Sequence, residues 1–118
     1  MGVSVAVCER MVRRLPGVEE RDAGSWVSYK VGGKGFGFLW ERTGTIGLKA
    51  THSEQAALVA ERPDVFEVQF TTESFGWVVV YLDGIDADEL AELIFEAWRL
   101  TAPEQLAEKI AGPAELCG

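Results

Sequence analysis

Val31-Gly32-Gly33-Lys34-Gly35-Phe36-Gly37-Phe38 is the stretch on which the fold turns. Its glycines admit two readings, a loop that cradles a phosphate or a β-hairpin. A phosphate-binding fingerprint sets its glycines between a strand and the N-terminus of a helix. Here the chain continues Leu39-Trp40-Glu41-Arg42-Thr43-Gly44, an alternating run followed by another turn, with no helix start. The hairpin reading works in detail. A two-residue turn at Gly32-Gly33 pairs Val31 with Lys34, Tyr29 with Phe36 and Val27 with Phe38. A three-residue loop at Arg42-Thr43-Gly44, with Gly44 left-handed, pairs Trp40 with Ile46 and Phe38 with Leu48. Together these registers predict one apolar face made of Val27, Tyr29, Val31, Phe36, Phe38, Trp40, Ile46, Leu48 and Ala50.

The opposite face then carries Trp26, Ser28, Lys30, Gly35, Gly37, Leu39, Gly47 and Lys49. A later strand adds Trp77, Val79 and Tyr81 to it, because Val78, Val80 and Leu82 suit the core. Glycine inside a strand costs roughly 0.5–1 kcal/mol relative to alanine. Gly35, Gly37 and Gly47 on one face therefore predict a bare floor, bordered by Trp26, Lys30, Lys49, Trp77 and Tyr81. One reading is that glycines are tolerated on an exposed sheet that Lys and Tyr keep soluble. The other is a surface that lets a second molecule approach closely. Aromatic rings with flanking cations suit a nucleic acid, and Trp and Tyr are equally favoured anchors for a protein partner.

Around this sheet the sequence predicts three main helices. Ser4 caps the first, whose Cys8, Met11, Val12 and Leu15 recur on one stripe before Pro16-Gly17 stops it. Thr51 and Glu54 form a capping box for the second, which ends before Pro63. Asp86 and Glu89 open the third, with Ile85 and Leu90 placed as a hydrophobic staple and Leu90, Leu93, Ile94, Ala97 and Trp98 as its buried stripe. Residues 17–25 read as a polar connection. Ala102-Pro103 starts a short helix through Ile110. The expected fold is α+β, one domain over residues 1–111 in the order α-β-β-β-α-β-β-α. An antiparallel sheet of about five strands is covered on one face by helices, and residues 112–118 form a loosely ordered tail.

The 118 residues, 47% hydrophobic and 25% charged, fit one soluble domain. No apolar run spans a bilayer, and the N-terminus is a poor signal peptide. Two cysteines, Cys8 and Cys117, are too few for a disulfide framework, so reduced thiols and a cytoplasmic location are expected. The net charge of −8 is unevenly spread: residues 1–50 hold eight Lys/Arg against five Asp/Glu, residues 51–118 three against fourteen. A basic half inside an acidic chain points to weak, salt-sensitive rather than tight nucleic-acid binding.

No catalytic constellation is visible. The single histidine, His52, lies at the start of a capped helix without a paired nucleophile or second ligand. Asp83, Asp86, Asp88, Glu89, Glu92 and Glu96 suit a helix N-terminus and its solvated face better than a metal site. A non-enzyme without cofactor or metal is the expectation.

Taken in order, LPGVEE, YKVGGKGFGFL, GLKA, WVVVYLDG and AWRLTAPEQL resemble the MmcQ/YjbR family over about residues 4–110. That resemblance implies a fold similar to bacterial frataxin (CyaY), sometimes described as a double-wing motif. It also implies the DNA-binding label that bacterial members commonly carry by structural analogy. Lys34 and Phe36 match the family's GK-x-F pattern, Lys49 its LK before the second helix, and Trp98-Arg99-Leu100 with Ala102-Pro103 its closing signature. Glu104, and Glu73-Ser74-Phe75-Gly76-Trp77, stand where many relatives carry basic or His-Tyr-containing runs. The resulting expectation is a DNA-binding module using Trp26, Lys30, Lys34, Gly35, Gly37, Gly47, Lys49, Trp77 and Tyr81. The alternative is a protein- or small-ligand-binding module of the same fold without a nucleic-acid role.

Overall fold

Ser4, Thr51 and Asp86 start the main helices by the same device, a side-chain oxygen accepting from a backbone N–H in the first turn. The bonds are Val7 N to Ser4 Oγ at 3.2 Å, Glu54 N to Thr51 Oγ1 at 3.1 Å and Glu89 N to Asp86 Oδ1 at 2.9 Å. They open α1 (Val5–Arg13), α2 (His52–Glu61) and α3 (Ala87–Arg99) in a computed structural model that describes residues 2–117. Six strands accompany them: β1 (Val18–Asp22), β2 (Val27–Val31), β3 (Lys34–Trp40), β4 (Thr45–Ala50), β5 (Phe66–Thr71) and β6 (Gly76–Tyr81). They form one antiparallel sheet in the order β1-β2-β3-β4-β6-β5.

The helices pack on one side of this sheet, α3 against β3 and β4 and α2 against β5 and β6, with α1 beside α3. The stripes expected from sequence are the ones that enter the core: Cys8, Met11, Val12 and Leu15 from the first helical segment, Leu90, Ile94, Ala97 and Trp98 from α3. Ile85 and Leu90 are both fully buried, as a hydrophobic staple requires. Trp98, buried completely, donates its indole N–H to the Pro16 carbonyl at 3.0 Å, fastening α3 to the turn after α1. The α+β class and its layering are as expected.

The structure adds a sixth strand where a polar connection was expected. Val18-Glu19-Glu20-Arg21-Asp22 pairs residue for residue with Val31 to Val27. It is an outer strand, and charged side chains on both faces are a usual protection for such an edge. Glu20, on the helix side, accepts two bonds of 3.0 Å from Arg13 of α1, which holds the edge to the helical layer.

The two hairpin registers are also corrected. Gly32 and Gly33 do form a two-residue turn, each with positive φ (59° and 79°), and Val31 pairs with Lys34. Beyond Lys30–Gly35 the register shifts, so that Tyr29 pairs with Gly37, Ser28 with Phe38 and Val27 with Leu39. Phe36 is the extra residue of a β-bulge, and Phe36 and Gly37 are both buried. The next turn has four residues, not three, so Trp40 pairs with Thr45 and Leu39 with Ile46. Its Gly44 is left-handed as expected. Beyond the bulge every side chain of β3 has changed face, and the longer turn restores the expected faces in β4. Leu39 is in the core, and Phe38 and Trp40, expected there, lie on the uncovered side.

At the C-terminus, α4 (Glu104–Ala107) is shorter than expected. Its Leu106 sits beside Gly17 and Val31 on the helical side, so α4 leaves the other face of the sheet uncovered. The segment expected as a loose tail instead carries a 3-10 turn, Pro113–Leu116, against α1 and α3. Leu116 is its anchor, buried in the core.

Gly37 now faces the helices. A Cβ there would meet Leu48 Cδ2 at 3.4 Å, the Gly47 carbonyl at 3.5 Å and Tyr29 Cδ2 at 3.7 Å. These are ordinary van der Waals contacts, so one methyl group fits without displacing its neighbours. Gly37→Ala is expected to leave the melting temperature unchanged or slightly raised. Gly37→Leu is expected to lose about 1–3 kcal/mol or more by overpacking, read by calorimetry as a fall of several degrees.

Candidate functional site: the open face of the sheet

The bulge in β3 decides which rings meet on the uncovered face. Phe38 and Trp40 stand there with ring centroids 6.2 Å apart. Across Gly47 of β4, Phe38 reaches Trp77 of β6 at 5.5 Å, and Trp77 stacks on Phe70 of β5 at 5.2 Å and 17°. The result is a continuous aromatic belt running obliquely over four strands. A second register shift, between Val68 and Phe70, supplies its last ring and turns Gln69 inward. The Gln69 amide lies directly over Gly47, in the space a Cβ would fill, with Oε1 buried and unbonded.

The expected bare glycine floor is therefore not present. Gly35 has open space around it, Gly37 faces the core, and Gly47 is roofed by Gln69. Of the other expected site residues, Trp26 is 41% exposed and Lys30 and Lys34 are exposed. Trp77 is on the expected face yet only 7% exposed, packed between its two aromatic neighbours. Tyr81 is half-buried and donates its hydroxyl to Glu67 Oε1 at 2.7 Å, which also raises its pKa. Phe38, Trp40, Gln69, Phe70 and Phe75 belong to the face and were missed. The signal for the first two was the pair of glycines inside β3, since strand glycine often marks a bulge.

Lys49 is the unusual member. It lies in β4 opposite Trp77 and is only 9% exposed. Its Nζ sits 4.5 Å from the Phe75 ring centroid and 5.8 Å from that of Trp77. Phe75 is set in place by a turn in which Thr72 N donates to the Phe75 carbonyl at 2.8 Å and Phe75 N to Thr72 Oγ1 at 3.0 Å. His52 Nε2 contacts the Thr72 carbonyl at 2.8 Å, tying the same turn to the start of α2. Ion pairs among the described residues join Arg13 to Glu9 and Glu20, Arg62 to Glu89 and Arg99 to Glu96, and none includes Lys49. Burial, and secondarily the like charge of Lys34, hold the Lys49 ammonium below the usual lysine range.

At the other end of the face a concavity of about 590 Å³ opens between residues 22–27 and 40–43, with Trp26, Trp40 and Arg42 on its walls. Arg21 and Glu19 stand on the same face of β1, opposite Ser28 and Lys30. The acidic cluster Asp83, Asp86, Asp88, Glu89, Glu92 and Glu96 belongs to α3 and the turn before it, in the opposite layer. Among the described residues no group of three or more His, Cys, Asp or Glu is placed to hold a metal ion, and no helix is long and apolar enough to cross a membrane. Cys8 is buried and its thiol is pushed up to about 12, by burial first and Glu9 second.

This is a single-domain α+β protein with an uncovered aromatic sheet face. The YjbR family model matches residues 13–100, and the chain belongs to that family. No curated protein matches it in sequence. Among solved structures it is similar in fold to Deinococcus radiodurans protein DR2400, described as a DUF419 domain. The TM-score is 0.74 at 20% identity, over 97% of this chain and 88% of that one.

The burial of Lys49 has a measurable consequence. Between its depressed folded pKa and the ordinary value of 10.5, the unfolded chain holds a proton that the folded chain has released. Stability linked to Lys49 must then rise with pH over that interval. The unfolding free energy of the wild type minus that of Lys49→Met is expected to increase as the pH approaches 10.5 from below in urea titrations. A difference that stays flat or falls would mean that the ammonium is not desolvated.

Proposed function

We propose that the chain is a binding module rather than an enzyme, and that its open sheet face binds single-stranded DNA. The observation that carries this reading is the separation of charge and rings between the two layers. Arg21, Lys30 and Lys49 accompany the aromatic belt on the sheet side, with Glu19 and Glu67 as its acids, and the larger acidic cluster of α3 lies on the helical side; Lys34, paired with the buried Val31, is exposed at the end of β3 on that helical side. Rings and cations on an open antiparallel sheet suit unpaired bases, which stack on aromatic faces while the backbone follows the charges. Duplex is a poorer fit, because its paired and stacked bases do not offer their faces to protein rings. A net charge of −8 keeps the expected affinity modest and strongly dependent on salt.

A second reading, docking of a protein, is favoured by one feature. The outer strand β5 exposes Val68 (50%) and Phe70 (42%), and exposed apolar side chains on a strand with a free edge suit a partner that adds a strand.

Fluorescence anisotropy with labelled single strands and duplexes separates these readings. Single strands are expected to bind at about 50 mM salt and to lose most of their affinity by about 200 mM. Arg21→Glu and Lys30→Glu should each weaken binding and flatten the slope of log K against log salt by about 0.7 or more. Absence of binding at the lower salt, or binding indifferent to both substitutions, would reject the nucleic-acid reading and leave β5 as the surface to pursue.

A further inference from the structure

We infer that the concavity between the β1–β2 and β3–β4 turns is a seat for one guanine base, with Trp26 and Trp40 as its walls, Glu41 as acceptor for the Watson–Crick edge and Arg42 as donor to O6 and N7. The inference rests on the reading of the face as a single-strand surface and specifies which base one end of it recognises.

Val27 pairs with Leu39, both in the core, and one residue further the register sets Trp26 across from Trp40 on the uncovered side. The two indoles make no ring contact with each other. Instead the concavity of about 590 Å³ opens there, a volume within the roughly 300–1,000 Å³ of small-molecule sites. Its walls are set before anything binds. Trp40 is braced by Phe38 at 6.2 Å, and Gly44 N donates to the Trp40 carbonyl at 3.1 Å in the turn that carries Glu41 and Arg42. Ala23 N donates to the Trp26 carbonyl at 2.8 Å, and Gly24 N to Asp22 Oδ1 at 2.9 Å, which closes the opposite turn. Little is then left to order on binding.

A space between two indoles suits a flat ring that stacks on them, and the polar residues at its rim select the ring. One oxygen of Asp22 is taken by its own turn, whereas Glu41 and Arg42 make no ion pair among the described residues. A carboxylate only accepts and a guanidinium only donates. Guanine answers both, with two adjacent donors, N1–H and N2–H, on one edge and two acceptors, O6 and N7, on the next. Adenine and cytosine set a donor beside an acceptor, and thymine has one donor between two acceptors. An ammonium ligand would also suit aromatic walls and a carboxylate, but Arg42 on the same rim repels it. Two sources share this chemistry, an unpaired base within a strand and a free guanine nucleotide.

The test uses the full chain labelled with ¹⁵N, at about 50 mM salt. Its probes are a short oligothymidylate, the same strand with a central guanine or a central hypoxanthine, and guanosine 5′-monophosphate. The guanine strand is expected to bind about tenfold more tightly than the thymidylate strand. Hypoxanthine lacks the 2-amino group and is expected to lose most of that preference. The free nucleotide is expected to shift the indole N–H signals of Trp26 and Trp40. Glu41→Gln should remove most of the guanine preference, and Trp26→Ala should weaken binding of the guanine strand by about tenfold. Both side chains are exposed, and if Trp26→Ala does not fold, Glu41→Gln and the hypoxanthine strand decide. Binding of every strand without a guanine preference, or a preference untouched by Glu41→Gln, overturns the seat while leaving the face a nucleic-acid surface. Shifts at both indoles with the free nucleotide that Glu41→Gln diminishes, with no strand bound, uphold the seat for a free guanine nucleotide and reject the nucleic-acid reading. No strand bound and neither indole shifted overturns both.

Discussion

One additional residue in β3 governs what both faces of the sheet contain. Tyr29 of β2 lies opposite Phe36 and Gly37 together, and both of those residues turn toward the helices. Leu48, the Gly47 carbonyl and the Tyr29 ring surround the second of them, at 3.4, 3.5 and 3.7 Å from where a Cβ of residue 37 would be. From that point the alternation is inverted. Aliphatic Leu39 joins Ile46 and Val80 beneath α3, and the rings of Phe38 and Trp40 go outward. Without the bulge two bulky aromatics would compete for core space and the outer face would hold leucine and glycine. A bulge in β5 acts from the far side, bringing Gln69 over Gly47 of β4 and Phe70 against Trp77 of β6. Gly47 sits between the two irregularities, and its missing side chain leaves the space that the Gln69 amide fills.

The helices, the hairpin turn at Gly32-Gly33 and the assignment of Trp77, Val79 and Tyr81 to the outer face were legible because each rests on a local rule. A cap needs one oxygen at one position, and a two-residue turn needs two residues with positive φ. Register is a different quantity. It depends on a count carried along a strand, and one unpaired residue reverses every assignment after it. That is why Phe36 was placed correctly while Phe38, Leu39 and Trp40 were each put on the wrong side. The first strand escaped for another reason: Glu19, Glu20, Arg21 and Asp22 show no apolar alternation, since an edge is stabilised by staying polar. Lys34, Lys49 and Trp77 were recognised as residues of interest, but nothing local to any of them reveals that Phe75 closes over Lys49.

The open face is apolar without being loose. Trp77 contacts rings on both sides and is nearly buried, and Tyr81 and Gln69 are likewise engaged or covered. A surface whose side chains already pack on one another loses little conformational freedom when something settles on it, so less of the contact energy is consumed in ordering. Its exposed members, Trp26 at one end and Phe70 at the other, are where a ligand gains new contact area. Charge follows the same geometry. Lys30 and Lys34 remain in water, where their fields are screened beyond about 8 Å at physiological salt. Lys49 keeps its ammonium against the Phe75 and Trp77 rings, where the packed side chains around its stem desolvate it in part and lower its pKa.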